Sequence, residues 1–144
     1  MDNKSLSYTK EETVKALKAL PTEKGFPYSV SAYAILQCKK ESGRTFLSLE
    51  EIDNNVVLDD YNFIAAYKTN EIQKKMPIFK LLEDIFEIFN IKHPKNFNEL
   101  KAHSLSVSDI IAIKTNNQIS FYFVDTVGFE PLIEETVHIN KQER

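Results

Sequence analysis

The residues of this chain with the widest chemical capacity gather in its last third. His103-Ser104-Leu105-Ser106-Val107-Ser108-Asp109 is followed, two apolar runs later, by Val124-Asp125-Thr126-Val127-Gly128-Phe129. An imidazole near hydroxyls and carboxylates could serve as base, nucleophile and orienting group in a hydrolase, provided the base reaches the nucleophile. The same hydroxyls with consecutive backbone amides could instead hold a phosphate or nucleotide in an anion nest. A third role is architectural, since serines before a strand cap turns and an aspartate accepts from nearby backbone. No nucleophile elbow or triad spacing is present, which weighs against catalysis and towards architecture. The candidate ligand or partner contacts are His103, Ser104, Ser106, Ser108, Asp109 and Asp125, and no residue is assigned as catalytic.

A hairpin would position this group. Ile110-Ile111-Ala112-Ile113 and Ile119 to Val124 flank Asn116-Asn117, a pair that tolerates positive φ in a two-residue turn. That register sets Ser108 opposite Asp125 and Asp109 opposite Val124. Ile110 and Ala112 then share a face with Phe123 and Phe121, while Ile111 faces Tyr122 on the other side. It also predicts a hydrogen bond between Ser108 and Asp125 that ties the strand ends. Gly128 is expected to supply the positive φ that turns Phe129 back towards the core.

The strongest helical pattern lies upstream. Pro77 occupies a first helical position, and Ile78, Leu81, Leu82, Ile85 and Phe89 recur at steps of three and four. Phe79, Phe86 and Ile88 widen that stripe enough to cover a sheet. Asn90 to Asn98 reads as a loop leaving the helix. A short N-terminal helix is expected from the Thr9/Glu12 capping box and from Val14, Leu17 and Leu20, ending at Pro21. It reads as an arm packed on the domain in preference to a partner-binding helix. Tyr33 to Cys38 and Asn62 to Tyr67 read as strands. Phe46-Leu47, after the turn at Lys39 to Arg44, is expected to pair back as a first hairpin. Ser48 and Glu51 form a second capping box. Between Glu41 and Asp60, Glu41, Glu50, Glu51, Asp53, Asp59 and Asp60 face Arg44 alone, a solvated acidic face.

Composition bounds the partners. The 144 residues are 42% hydrophobic, enough for one core, and ten Phe with six Tyr point to an aromatic filling. A net charge of −3 lacks the basic excess of a nucleic-acid binder, so no direct nucleic-acid contact is expected. Cys38 is the only cysteine, and His93, His103 and His138 lack metal-site spacing, so neither metal nor cofactor is expected. Without a signal-peptide or membrane-length apolar run, the expected location is the cytoplasm, away from membranes.

The chain resembles the YodL-like domain family. HSLSVSDII, a short hairpin and FVDTVGFEPL carry the likeness, with IFEIFNIKHPKNF before them and the runs at Tyr33 to Gln37, Arg44-x-Phe46 and Tyr61 to Tyr67 further upstream. It spans about residues 32–133. Lys101-Ala102 stands where the family commonly has a glycine before the histidine, and Tyr122-Phe123-Val124 where it has a Tyr-Tyr-like pair. The resemblance implies a setting in plasmids, phages and conjugative elements of Gram-positive bacteria, and no particular activity.

The expected architecture is α+β: a small antiparallel sheet, one amphipathic helix across a face, and a short N-terminal helix. Residues 1–28 are expected to form the helical arm and connector, 29–135 the YodL-like domain, and 136–144 a flexible tail. The expected function is a non-enzymatic protein-binding accessory of a mobile element. It would inhibit a host defence component, a CRISPR nuclease or restriction enzyme. The alternatives are a small-ligand or nucleotide-binding module at His103, Ser106 and Asp109, and a hydrolase using the same cluster.

Overall fold

The computed structural model describes residues 8–22, 29–92, 102–116 and 118–139. Its centre is an antiparallel sheet built from β1 (Ala32–Cys38), β2 (Tyr61–Lys68), β3 (Ile110–Lys114), β4 (Gln118–Val124), β5 (Phe129–Pro131) and β6 (Val137–His138). The order is β2-β1-β3-β4-β5, and β6 joins β4 beside β5. Helix α1 (Tyr8–Ala19) lies on one side and α2 (Ile78–Glu87) on the other. The architecture is α+β, as the patterning predicts.

Two apolar layers follow from alternation along the strands. Ala34, Leu36, Ile110, Ala112, Phe121 and Phe123 face α1, where they pack with Val14 and Leu17. Ile35, Ile111, Ile113, Tyr122 and Val124 face Leu81, Leu82, Ile85 and Phe89 of the α2 region. Each of those four large side chains contributes about 1.5–3 kcal/mol before entropy. Within the α2 stripe, Phe79 stays half-exposed and meets Tyr122 edge-on, and Phe86 meets Phe129 likewise. Pro77 stands one position before the helix, at its N-cap. The helix ends in a π-turn over Ile88–Lys92, so Asn90 belongs to that turn and not to a loop. Residues 93–98 of the expected loop lie outside the described residues, as does His93.

The final hairpin has the expected register. Ile110 pairs with Phe123, Ile111 with Tyr122 and Ala112 with Phe121. Thr115 and Gln118 close it, with Asn116 in the turn; position 117 lies outside the described residues. Gly128 has φ +76°, and the Asp125 amide donates to its carbonyl, which brings Phe129 back beside Val124.

Four local expectations are corrected. Phe46-Leu47 forms no strand: β1 pairs with β2 instead, because Phe46 has a left-handed φ of +68° that no strand accommodates. The Thr9/Glu12 capping box does not form. Thr9 lies inside α1, where its hydroxyl donates to the Tyr61 carbonyl and its amide to the Asp59 carboxylate. Of the tail expected over residues 136–144, Val137–His138 form strand β6, held on β4 through Gln118–His138 and Ile119–Val137, and residues 140–144 lie outside the described residues. The fourth correction concerns Ser108 and Asp125, described below.

Helix α1 is bound to the sheet at both ends. Asp59 accepts at its first turn, and the buried ammonium of Lys114 donates to the Leu17 and Leu20 carbonyls at its last, at 3.0 and 2.5 Å. An anion at the N-terminus and a cation at the C-terminus both match the helix dipole. Burial lowers the Lys114 pKa. Lys10 adds an ion pair to Glu135 at 2.8 Å.

Candidate functional site

The segment from His103 to Asp109 is bound through its backbone by two carboxamides. Gln37, buried in β1, donates from Nε2 to the His103 carbonyl at 2.7 Å and accepts the His103 amide on Oε1 at 3.1 Å. Asn90 treats Leu105 in the same way, donating to its carbonyl at 3.1 Å and accepting its amide at 2.6 Å. Each amide side chain thus supplies the pair of bonds that a neighbouring strand would supply.

Asp109 is the polar centre of the group and only 1% exposed. Its Oδ2 accepts from the Ser106 amide at 3.0 Å and from Gln37 Nε2 at 3.2 Å, and its Oδ1 from the Cys38 amide at 3.2 Å. The Asp109 amide returns a bond to the Ser106 carbonyl, closing a four-residue turn over residues 106–109. Burial pushes its carboxyl up to about 6, opposed by those amides, the His103 ring and Gln37.

The hydroxyls serve the backbone as well. Ser106 Oγ donates to the Ser104 carbonyl. Ser108, at φ +88°, accepts the Phe46 amide on Oγ at 3.0 Å, while Tyr61 donates its hydroxyl to the Ser108 carbonyl at 2.6 Å. Asp125 Oδ1 accepts the Leu49 amide at 3.2 Å and the Thr126 amide at 2.9 Å. Ser108 does not stand opposite Asp125. Its amide donates to the Val124 carbonyl while the Val124 amide donates to the Asp109 carbonyl, so Ser108 and Asp109 both oppose Val124. The Ser108 and Asp125 side chains each reach into the loop between β1 and β2. The left-handed φ of Ser108 turns its side chain away from the partner that an extended residue would face.

This arrangement carries little capacity for nucleophilic chemistry. The His103 ring lies with Nδ1 2.7 Å from the Ser104 carbonyl, an acceptor, so that nitrogen donates to main chain and, among the described residues, is not paired with a serine hydroxyl. Ser104 and His103 are exposed, whereas Ser108 and Asp109 are buried, so the six candidates do not converge on one cavity. An open groove of about 260 Å³ is lined by His103 alone of the six candidates, together with Gln37, Lys39, Lys40, Glu41 and Asn62 among others. Cys38 bonds Ser42 at 3.2 Å, and burial raises its thiol pKa, as expected of an inert structural thiol. Among the described residues, no three His, Cys, Asp or Glu side chains are grouped to hold a metal, and no helix is long and apolar enough to cross a membrane.

Sequence reasoning finds His103, Ser106, Ser108, Asp109 and Asp125 but misses Gln37, Asn90, Tyr61 and Phe46. A glutamine inside the apolar run Tyr33 to Cys38 is the available signal for the first, because a buried amide requires partners. The Phe89-Asn90 pair at the helix end is the signal for the second.

The model of the YodL-like domain matches residues 32–134. No curated protein and no solved structure matches the chain. Every residue of the bonded cluster falls inside the matched span, and α1 falls outside it. The chain belongs to the YodL-like domain family.

Proposed function

We propose that this YodL-like protein is a non-enzymatic binding protein of a Gram-positive mobile genetic element. It would act by direct contact on a host defence component such as a CRISPR nuclease or restriction enzyme. The observation that carries the reading is that the polar cluster is taken up by backbone partners. Asp109, Gln37 and Asn90 hold main chain in place, and what they produce is a fixed surface. Apolar side chains exposed on that surface, Phe46 and Val127 among them, supply contact area of the kind that anchors protein interfaces.

The test is reconstitution with purified candidate nucleases, read by size-exclusion chromatography and by inhibition of cleavage. A stoichiometric complex that survives His103→Ala and Ser106→Ala supports the reading. Failure to bind any such enzyme, together with turnover of a substrate lost in His103→Ala at unchanged Tm, would reverse it in favour of the hydrolase. The groove lined by His103 favours a second reading, weak binding of a small anion at Lys39 and Lys40 with the Glu41 carboxylate beside them. Titration with inorganic phosphate and a nucleotide, followed by NMR shifts of Lys40 and His103, addresses it.

A further inference from the structure

Phe46 is held in a conformation and an exposure that both run against its chemistry. The Leu47 amide donates to the Arg44 carbonyl, which makes Phe46 the third residue of a tight turn, and its φ is +68°. Turns with positive φ at that position favour glycine or asparagine, and a side chain there costs about 1–2 kcal/mol. A buried ring could offset that cost, but Phe46 is 66% exposed. The fold nevertheless fixes the turn from several sides. Ser108 Oγ accepts the Phe46 amide, Asp125 accepts the Leu49 amide, and Ser48 and Glu51 form a reciprocal capping box at 2.8 and 3.1 Å. Arg44 donates to the Asn55 carbonyl across the same loop. Ser108 and Asp125 flank the hairpin at one end of the sheet, and Val127, 87% exposed, lies in the turn that follows Asp125.

The surroundings are predominantly acidic. Glu50, Glu51 and Asp53 follow Phe46 on the same loop and are exposed, and Arg44 is the only cation between Glu41 and Asp60. Acid of that density disfavours a second copy of this chain, which would bring like charges together. It favours a surface of the opposite sign.

We infer that Phe46 is the anchor of a protein-docking surface, displayed by Ser108 and Asp125, whose occupant is a partner protein with an apolar pocket rimmed by Lys and Arg. This rests on the protein-binding reading above and names the surface and the partner's chemistry. Backbone strain of this kind persists where surrounding structure imposes it and is concentrated at functional positions. A preformed aromatic anchor also binds with less loss of side-chain and loop freedom.

The test uses the full chain as wild type, as Phe46→Gly, and as Ile72→Ser, an aliphatic of similar exposure in the turn between β2 and α2. Each is used to capture protein from a Gram-positive lysate. Whatever the wild type retains is identified, purified and titrated by calorimetry at low and high salt. The expected result is a defined stoichiometry, about thirtyfold or greater weakening by Phe46→Gly, no change with Ile72→Ser, and weakening with salt. The Tm of Phe46→Gly should equal or exceed that of wild type, so loss of binding is not loss of fold. Equal binding by Phe46→Gly overturns this inference and leaves the protein-binding reading standing. Absence of any retained protein overturns both. Salt-insensitive binding overturns the basic rim, and self-association abolished by Phe46→Gly assigns the surface to a second copy instead.

Discussion

The Ser108 hydroxyl accepts the Phe46 amide at 3.0 Å, and both residues stand at positive φ, +88° and +68°. Two unfavourable backbone conformations, 62 positions apart in sequence, are thus joined by one hydrogen bond. Neither residue can relax without disturbing that contact, so the loop before β2 and the entry to β3 form one mechanical unit.

Replacing Ser108 separates the bond from the strain. Ser108→Ala leaves the Phe46 amide without its acceptor and keeps a side chain at positive φ, costing about 1–3 kcal/mol. Ser108→Gly loses the same bond but removes the steric penalty, and should recover about 1 kcal/mol of that. Urea denaturation should rank wild type above Gly and Gly above Ala. An alanine variant as stable as the glycine variant would show that the backbone at Ser108 is unstrained.

The two carboxamide clamps should be separable residue by residue. Gln37→Ala should speed hydrogen exchange at the His103 amide at least about tenfold and leave Leu105 protected, and Asn90→Ala should do the reverse. Each should lower stability by about 2 kcal/mol through lost bonds to buried backbone. Simultaneous loss of protection at both amides in either variant would mean that the segment opens as a whole.

Asp109 predicts a pH dependence of definite sign. Its folded-state pKa, raised to about 6 by burial, exceeds the ordinary 3.8. The native state therefore keeps the proton longer than the unfolded chain does. The resulting stability is fully present below about pH 4 and is lost as pH rises through about 6. The full difference is on the order of 3 kcal/mol. Asp109→Asn lacks this slope, although its amide nitrogen must face one of the donors that the carboxylate accepted. Urea midpoints of both proteins at pH 4, 5, 6 and 7 should converge at the alkaline end or cross; parallel curves would remove Asp109 as the titrating group.

Lys114→Met should loosen α1 selectively. The substitution preserves apolar length but leaves the Leu17 and Leu20 carbonyls without their donor, at a cost of about 1–3 kcal/mol. Amide exchange in the last turn of α1 should rise before exchange in β1 or β3. Unchanged exchange there would mean that water replaces the ammonium at no cost.

Strand register and helix stripe were legible because both depend on periodicity. Ile110 to Ile113 and Ile119 to Val124 alternate around an Asn-Asn turn, and a one-residue slip would expose an apolar face. The functional constellation was legible as composition but not as geometry. His103, Ser106 and Asp109 are close in sequence, whereas their partners Gln37, Cys38 and Asn90 come from elements brought near only by the sheet. The misread hairpin at Phe46 has the same origin. Nothing in a Phe-Leu pair signals a left-handed backbone, because a distant serine and aspartate impose it. Thr9 was misread for a related reason, its hydroxyl being drawn from local capping to the Tyr61 carbonyl.

The double-ended attachment of α1 carries the packed unit beyond the span of the family match. The family match begins at residue 32, but Asp59 and Lys114, both inside it, find partners in Thr9, Leu17 and Leu20. Excision at the family boundary would strand a buried ammonium and remove Val14 and Leu17 from the core layer that holds Ala34, Leu36 and Phe121. In this chain α1, which lies outside the matched span, is a segment that helps to cover this face of the YodL-like domain.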